Sequence, residues 1–332
     1  MNPRLETQFL GLKLRNPLLV GASPLADSVE VALELQERGA GAIVMRSLFE
    51  EQIDIERRAG EAFIESHGES FAEATSYFPA VAEYVMGPEE YLRQLEQLKK
   101  KLEIPVIASL NGVTVGGWTE YAKRMEECGA DALELNFYFL PTDPAESGQQ
   151  VEDRLAEVIT AVRGQIKIPL SVKLSPFYSS LPSLVRQIAS LGAQGVVIFN
   201  RFYQPDIDIE ALEASPRINL SHSSELLLRL RWLAILHGQS RIALSSSGGV
   251  HTPEDLIKTL MAGADTVQIV SLLLRHGAKQ VQVLLEGLSR WMQEHEYTDI
   301  KQLRGCMSLQ KCPDPSVFER ANYMRVLQGW QA

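Results

Sequence analysis

Cysteine is scarce in this chain: Cys128, Cys306 and Cys312 are the only three in 332 residues, too few and too scattered for a disulfide framework, and their context is expected to be reducing. Cys306 and Cys312 lack the paired spacing of a metal finger, so no metal site is expected. Basic residues are in deficit. The 32 Lys plus Arg against 42 Asp plus Glu give a formal net charge of -10, which argues against a nucleic-acid surface. The one basic run, Lys99, Lys100 and Lys101, falls at a predicted helix C-terminus, where cations suit the helix dipole. No apolar run approaches a membrane span, and the first seven residues carry no apolar signal core, so a cytoplasmic setting away from membranes is expected. Histidines are scattered without a His-x-x-x-His pair, and spacing assembles no Ser-His-Asp set.

What is present is ordinary globular composition, 45% hydrophobic and 22% charged. Short apolar runs alternate with amphipathic stretches along the whole chain. Strands are predicted at 17–22, 42–45, 105–109, 132–136, 170–173, 195–199, 242–245 and 266–269. Helices are predicted at 29–38, 88–101, 119–128, 151–163, 181–191, 223–236, 253–261 and 278–293. The strand runs are continuously apolar, as parallel strands buried on both faces require. Eight strand–helix units predict a single α/β domain, a (β/α)8 TIM barrel over residues 1–295, with an extension at 296–332 packed on its outside. Small-residue joints such as Met261-Ala-Gly-Ala-Asp265 close helices and open the next strand, and they read as fold rather than function. Long connections follow strands two, four and six, where this architecture carries its chemistry. The first of them, residues 46–86, is expected to hold a helical piece near 54–62.

Five features point to a ligand. Ser246-Ser247-Gly248-Gly249 ends strand seven and Val270-Ser271 ends strand eight, the usual phosphate position in a barrel. Lys173 closes an otherwise apolar strand, and a buried ammonium is costly unless an anion meets it. Arg46 and Ser47 end strand two, with Glu50 or Glu51 as the alternative partner of the arginine. Asn111, Asn136 and Asn200 lie at or just past the ends of strands three, four and six, and three amides around one ring suit a flat heterocycle. Gly21-Ala22-Ser23-Pro24 puts small residues where a bulky ligand would lie against backbone.

These residues resemble the dihydroorotate dehydrogenase family of FMN barrels, over roughly residues 10–288, and in particular a bacterial dihydroorotate dehydrogenase-like branch marked by Asn200-Arg-Phe-Tyr-Gln-Pro-Asp206 and Leu303-Arg-Gly-Cys-Met-Ser308. The resemblance implies an FMN-dependent oxidoreductase of pyrimidine metabolism, acting on a CH–CH bond of a small heterocyclic substrate. It implies hydride transfer to flavin N5, a further electron acceptor not named by the sequence, and dimer formation. Ala22 and Ser23 would lie against the flavin ring, Lys173 near its N1/O2 edge, and Ser47, Asn136 and Phe199 along ring and ribityl chain. Ser246, Ser247, Gly248, Gly249, Val270 and Ser271 would hold the phosphate. The sequence departs from the family at five points: the second substrate asparagine after strand four is gone, the family's Asn-Ser-Met-Gly segment is replaced near Glu73-Ala-Thr-Ser-Tyr-Phe-Pro79, and three single positions differ. A family lysine is Arg46, a family glycine is Val270, and the Cys or Ser base of strand four is replaced by Phe139 or Leu140 in Asn136-Phe-Tyr-Phe-Leu-Pro141. Neither replacement accepts a proton; Tyr138 and Asp143 are the substitute candidates on that loop. The residues alone leave two other readings open: a non-redox barrel enzyme using the cup for a phosphorylated metabolite, and a catalytically silent FMN-binding protein.

Overall fold

The computed structural model describes residues 2–56, 86–201, 204–215, 219–318, 320 and 322–329. Eight parallel strands close into a barrel. They are β1 (Leu18–Val20), β2 (Ala42–Phe49), β3 (Val106–Asn111), β4 (Ala132–Asn136), β5 (Leu170–Leu174), β6 (Gly195–Ile198), β7 (Ala243–Ser247) and β8 (Thr266–Ile269). Strand β8 pairs with both β7 and β1, which completes the ring. Helices α1 (Val29–Glu37), α2 (Pro88–Lys101), α3 (Glu120–Glu127), α4 (Gly148–Gln165), α5 (Leu181–Ser190), α6 (Leu226–Leu236), α7 (Pro253–Ala262) and α8 (Lys279–Glu294) follow the strands in turn. The fold is a single (β/α)8 barrel.

Local signals explain the helix bounds. Ser147 and Gln150 form a capping box at the start of α4, as do Thr252 and Asp255 at α7, where Pro253 occupies the first turn. Helices α1, α3, α5 and α7 each end at a glycine with positive φ (Gly39, Gly129, Gly192 and Gly263), the left-handed stop that leads straight into the next strand.

The barrel has two cores because each strand buries both faces. The outer one lies between strands and helices and includes Ile43, Leu95, Leu133, Val172, Val196 and Leu260. The inner one fills the barrel floor with Leu19, Ala42, Val44, Ile107, Ala132 and Val197. It is sealed from below by an antiparallel hairpin, Thr7–Phe9 with Leu12–Leu14, whose Phe9 and Leu10 belong to the same cluster. Gly195 at the start of β6 makes room for this plug: a Cβ there would sit 2.4 Å from Leu10 Cδ2. Above the apolar floor the interior turns polar, with Ser109, Glu134, Ser171, Lys173 and Gln268 all buried.

Three departures from the sequence expectations concern the strand ends. Strand β2 runs to Phe49 rather than stopping near residue 45, so Arg46 and Ser47 lie within it. The expected helical piece begins earlier, with residues 50–56 helical; residues 57–62, together with 73–79 and His67, lie outside the described residues. The connection after β6 contains a short antiparallel pair, Asp206–Asp208 with Glu213–Ser215, which the apolar pattern did not announce. Strands and helices otherwise begin and end within a few residues of expectation.

Candidate active site

At the C-terminal end of the barrel lies a cleft with two lobes that share Ala22, Ser23, Pro24, Lys173 and Asn200. The larger lobe, about 520 Å³, runs from Lys173 to Ser247, Gly248, Gly249, Val270 and Ser271. The smaller, about 360 Å³, is bounded by Arg46, Ser47, Phe49, Gln52 and Asn136. Arg46 and Ser47 are neighbours in β2, and alternation would send their side chains to opposite faces. Both line the lobe because the pairing of β2 with β3 shifts register between Val44 and Ser47. A bulge of this kind re-aims side chains at a barrel rim.

The larger lobe ends in a cup of small residues. Gly248 and Gly249 have φ of 88° and 82°, the left-handed region that glycine enters without strain. A Cβ on Gly249 would fall 2.6 Å from the Leu226 backbone nitrogen. Ser221, from the connection after β6, ties the two halves of the cup together. Its N–H donates to Ser271 Oγ at 3.1 Å, and its hydroxyl accepts from Gly249 N–H at 3.5 Å and pairs with His251 Nε2 at 3.0 Å. Beneath the glycines lies Arg229 of α6, buried, donating from Nε to Ser247 O at 2.6 Å and from Nη1 to Glu225 O at 2.7 Å. Burial lowers its pKa, with Glu225 opposing and Arg201 adding to the shift. Hydroxyls, a glycine turn and a buried guanidinium form a donor set that fits a phosphate group.

Where the lobes join, Lys173 Nζ donates to Glu134 Oε1 and Gln268 Oε1, both at 3.3 Å. Gln268 Nε2 donates in turn to Glu134 Oε2 at 2.5 Å. The anion that meets the buried ammonium is therefore Glu134 on the neighbouring strand, itself 1% exposed. In the smaller lobe Asn200 Nδ2 donates to Asn136 Oδ1 at 2.8 Å, Asn136 Nδ2 donates to Ser47 Oγ at 3.5 Å, and the Ser47 and Ser109 hydroxyls share a bond of 2.8 Å. Arg46 Nη2 contacts Asp27 Oδ2 at 2.7 Å, so its partner is Asp27 rather than Glu50 or Glu51. Glu50 instead accepts from the N–H groups of Val113 and Thr114. Burial pushes the Asp27 carboxyl above its ordinary range, against the pull of Arg46. Arg46 Nε is buried without a partner.

Several expected residues lie off the lobes. Asn111 is buried at the end of β3, Phe199 is 1% exposed in the outer core, and Ser246 is fully buried with an unpaired hydroxyl. Tyr138 is half-buried, and Asp143 sits on an exposed turn where its carboxylate accepts from Ala145 N–H. Phe139 lies beneath the Arg154 guanidinium at 4.5 Å, and Leu140 is 48% exposed. Among the described residues lining the lobes there is no carboxylate, thiol or imidazole.

The sequence reading missed Glu134, Gln268, Arg229, Ser221, Gln52 and Asp27. The first three had a signal: Glu134 and Gln268 interrupt strands between the buried apolar pairs Leu133/Leu135 and Val267/Ile269, and Arg229 shares its helix face with buried Leu226 and Leu233. Ser221 and Asp27 sit in connections and had none.

The profile described as dihydroorotate dehydrogenase matches residues 4–292. The chain belongs to the dihydroorotate dehydrogenase family. Among its relatives is the dihydroorotate dehydrogenase B (NAD(+)) catalytic subunit of Thermoplasma volcanium, 26% identical over 313 residues, covering 91% of this chain and 97% of that protein. The NAD-dependent dihydropyrimidine dehydrogenase subunit PreA of Escherichia coli K12 is 25% identical over 321 residues, 91% of this chain and 76% of that protein. The chloroplastic dihydropyrimidine dehydrogenase (NADP(+)) of Arabidopsis thaliana is 23% identical over 327 residues, again 91% and 76%. This dihydroorotate dehydrogenase-family barrel has three free cysteines, and among its described residues no helix is long and apolar enough to cross a membrane.

Proposed function

We propose that the chain is an FMN-dependent oxidoreductase acting on a carbon–carbon single bond of a reduced pyrimidine ring. The observation that carries this reading is the two-lobed cleft, with a phosphate cup at one end, an amide and hydroxyl network at the other, and Lys173 between them. Ser247, Gly248, Gly249, Val270 and Ser271, with Arg229 behind them, would hold the FMN phosphate; Ala22, Ser23 and Lys173 would meet the ring. When bound, FMN supplies a hydride acceptor. Lys173, anchored by Glu134 and Gln268, places a cation where negative charge would develop. Asn136, Asn200 and Ser47 orient a flat ring through paired donors and acceptors.

The proton lost from the ring needs an acceptor. On sequence position that role falls to Tyr138 or Asp143, on the connection that holds the base elsewhere in the family. Tyr138→Phe and Asp143→Asn separate the two: loss of the true acceptor lowers the rate of flavin reduction by about 10²–10⁴-fold, and the other substitution leaves it unchanged.

The reading is tested by a visible spectrum of the purified protein, followed by anaerobic addition of dihydroorotate and of 5,6-dihydrouracil. Bound yellow flavin that bleaches with one of them supports it. A colourless protein that takes up no added FMN refutes it.

A further inference from the structure

Every cationic side chain that lines the cleft among the described residues has a carboxylate of its own. Arg46 contacts Asp27 at 2.7 Å, Lys173 contacts Glu134 at 3.3 Å, and Arg201 contacts Glu225 at 3.3 Å. In the smaller lobe this leaves charge-balanced walls. A carboxylate entering there would lose its water and meet, among the described residues, no cation without a carboxylate of its own, and burying a charge without a partner is costly. A neutral cyclic amide meets the opposite situation. Asn136 and Asn200 are bonded to each other through one amide oxygen and one amide N–H, which leaves the Asn200 oxygen and a further N–H of each side chain for a ligand's C=O and N–H groups. Gln52, whose Nε2 donates to Met86 O at 3.2 Å and whose Oε1 accepts from Phe49 N–H at 3.0 Å, is held as a fixed wall.

We infer that the smaller lobe selects an uncharged reduced pyrimidine, of the dihydrouracil type, over a ring bearing a carboxylate, and that Asp27 sets this preference by neutralising Arg46. The inference rests on the functional reading above and deepens it. Asp27 does not line the lobe; it acts through Arg46 and is a positioning and charge-setting residue.

The test is binding rather than turnover. Uracil and orotate, the oxidised rings, are titrated into the FMN-loaded protein, with Kd read from flavin absorbance shifts and from calorimetry. Uracil is expected to bind about tenfold or more tightly than orotate. Asp27→Asn, nearly isosteric, frees the guanidinium and is expected to strengthen orotate binding by about tenfold while changing uracil by less than about threefold. Arg46→Gln is the second variant. It leaves Asp27 without its cation and is expected to weaken orotate further, by about tenfold, with a smaller loss for uracil. Orotate binding as tightly as uracil to the wild type, or an unchanged ratio in both variants, overturns the inference, and so does failure of the protein to bind either ring. If the protein takes up no flavin, the functional reading fails; calorimetry on the flavin-free protein then reads the same ratio and decides the inference separately.

Discussion

Lys173 illustrates how one buried charge organises this site. Its side chain is 7% exposed and that of Glu134 only 1%, so neither ion is stabilised by water; each depends on the other and on Gln268. Removing one partner of such a pair strands the other in a medium of low polarity. Lys173→Met is therefore expected to lower stability by about 3 kcal/mol and to reduce flavin retention. Thermal melting and flavin absorbance of the purified variant measure both. The double variant Lys173→Met/Glu134→Gln should recover much of the stability and none of the flavin retention, because it removes the stranded charge without restoring the cation. Full flavin occupancy in the single variant would remove Lys173 from its assigned place.

At the scale of elements, the site is made by strand ends and by what deforms them. The register shift in β2 brings Arg46 and Ser47 to the same lobe, and the paired glycines after β7 bring the chain against the start of α6. Gly249 is the tighter of the two glycines. Its φ of 82° and the 2.6 Å approach of Leu226 N leave no room for a methyl group. Gly249→Ala should displace the cup from α6, lower the melting temperature, and weaken FMN binding by about tenfold or more, since small displacements of an anion cup lose charge-assisted hydrogen bonds. A titration of the flavin-free protein with FMN measures the loss, and wild-type affinity would show that the cup tolerates the shift.

At the scale of the whole molecule, residues 303–309 pack against α6 and α7 on the outside of the barrel. Leu303 is buried, Gly305 N–H donates to Leu260 O at 2.9 Å, Met307 N–H to Met261 O at 2.9 Å, and Leu309 N–H to Ala234 O at 2.9 Å. Arg304 pairs with Asp265, which starts the turn into β8 and accepts from Leu244 N–H at 2.8 Å. Burial holds the Asp265 carboxyl above its ordinary range; Arg304, then the Leu244 N–H and His237, pull it down. A carboxyl whose folded pKa is raised favours the fold while protonated. Its contribution is present below the unfolded value and is lost as pH climbs through the folded one. Without Arg304 that loss grows. Arg304→Met should melt below the wild type at neutral pH, and the gap should narrow as pH falls toward about 4. A gap independent of pH would separate the tail's contribution from the charge on Asp265.

The sequence by itself determined the repeat of strand and helix, the helix stops at Gly39, Gly129, Gly192 and Gly263, the glycine turn after β7, and the presence of Lys173 and Asn136 at strand ends. These are properties of local pattern: continuous apolar runs of strand length, caps, and residues that alone tolerate a given backbone angle. Tertiary structure decided the partners. Glu134 meets Lys173, Arg229 lies under Gly248, Asp27 meets Arg46, and a hairpin from residues 7–14 plugs the barrel floor, each across long stretches of chain. Pairing in space depends on strand order, register and one bulge, none of which leaves a mark in the periodicity of a single segment. That is why the glycine and hydroxyl cup was legible in a few adjacent residues, whereas the charge balance of the cleft emerged only once the barrel had closed.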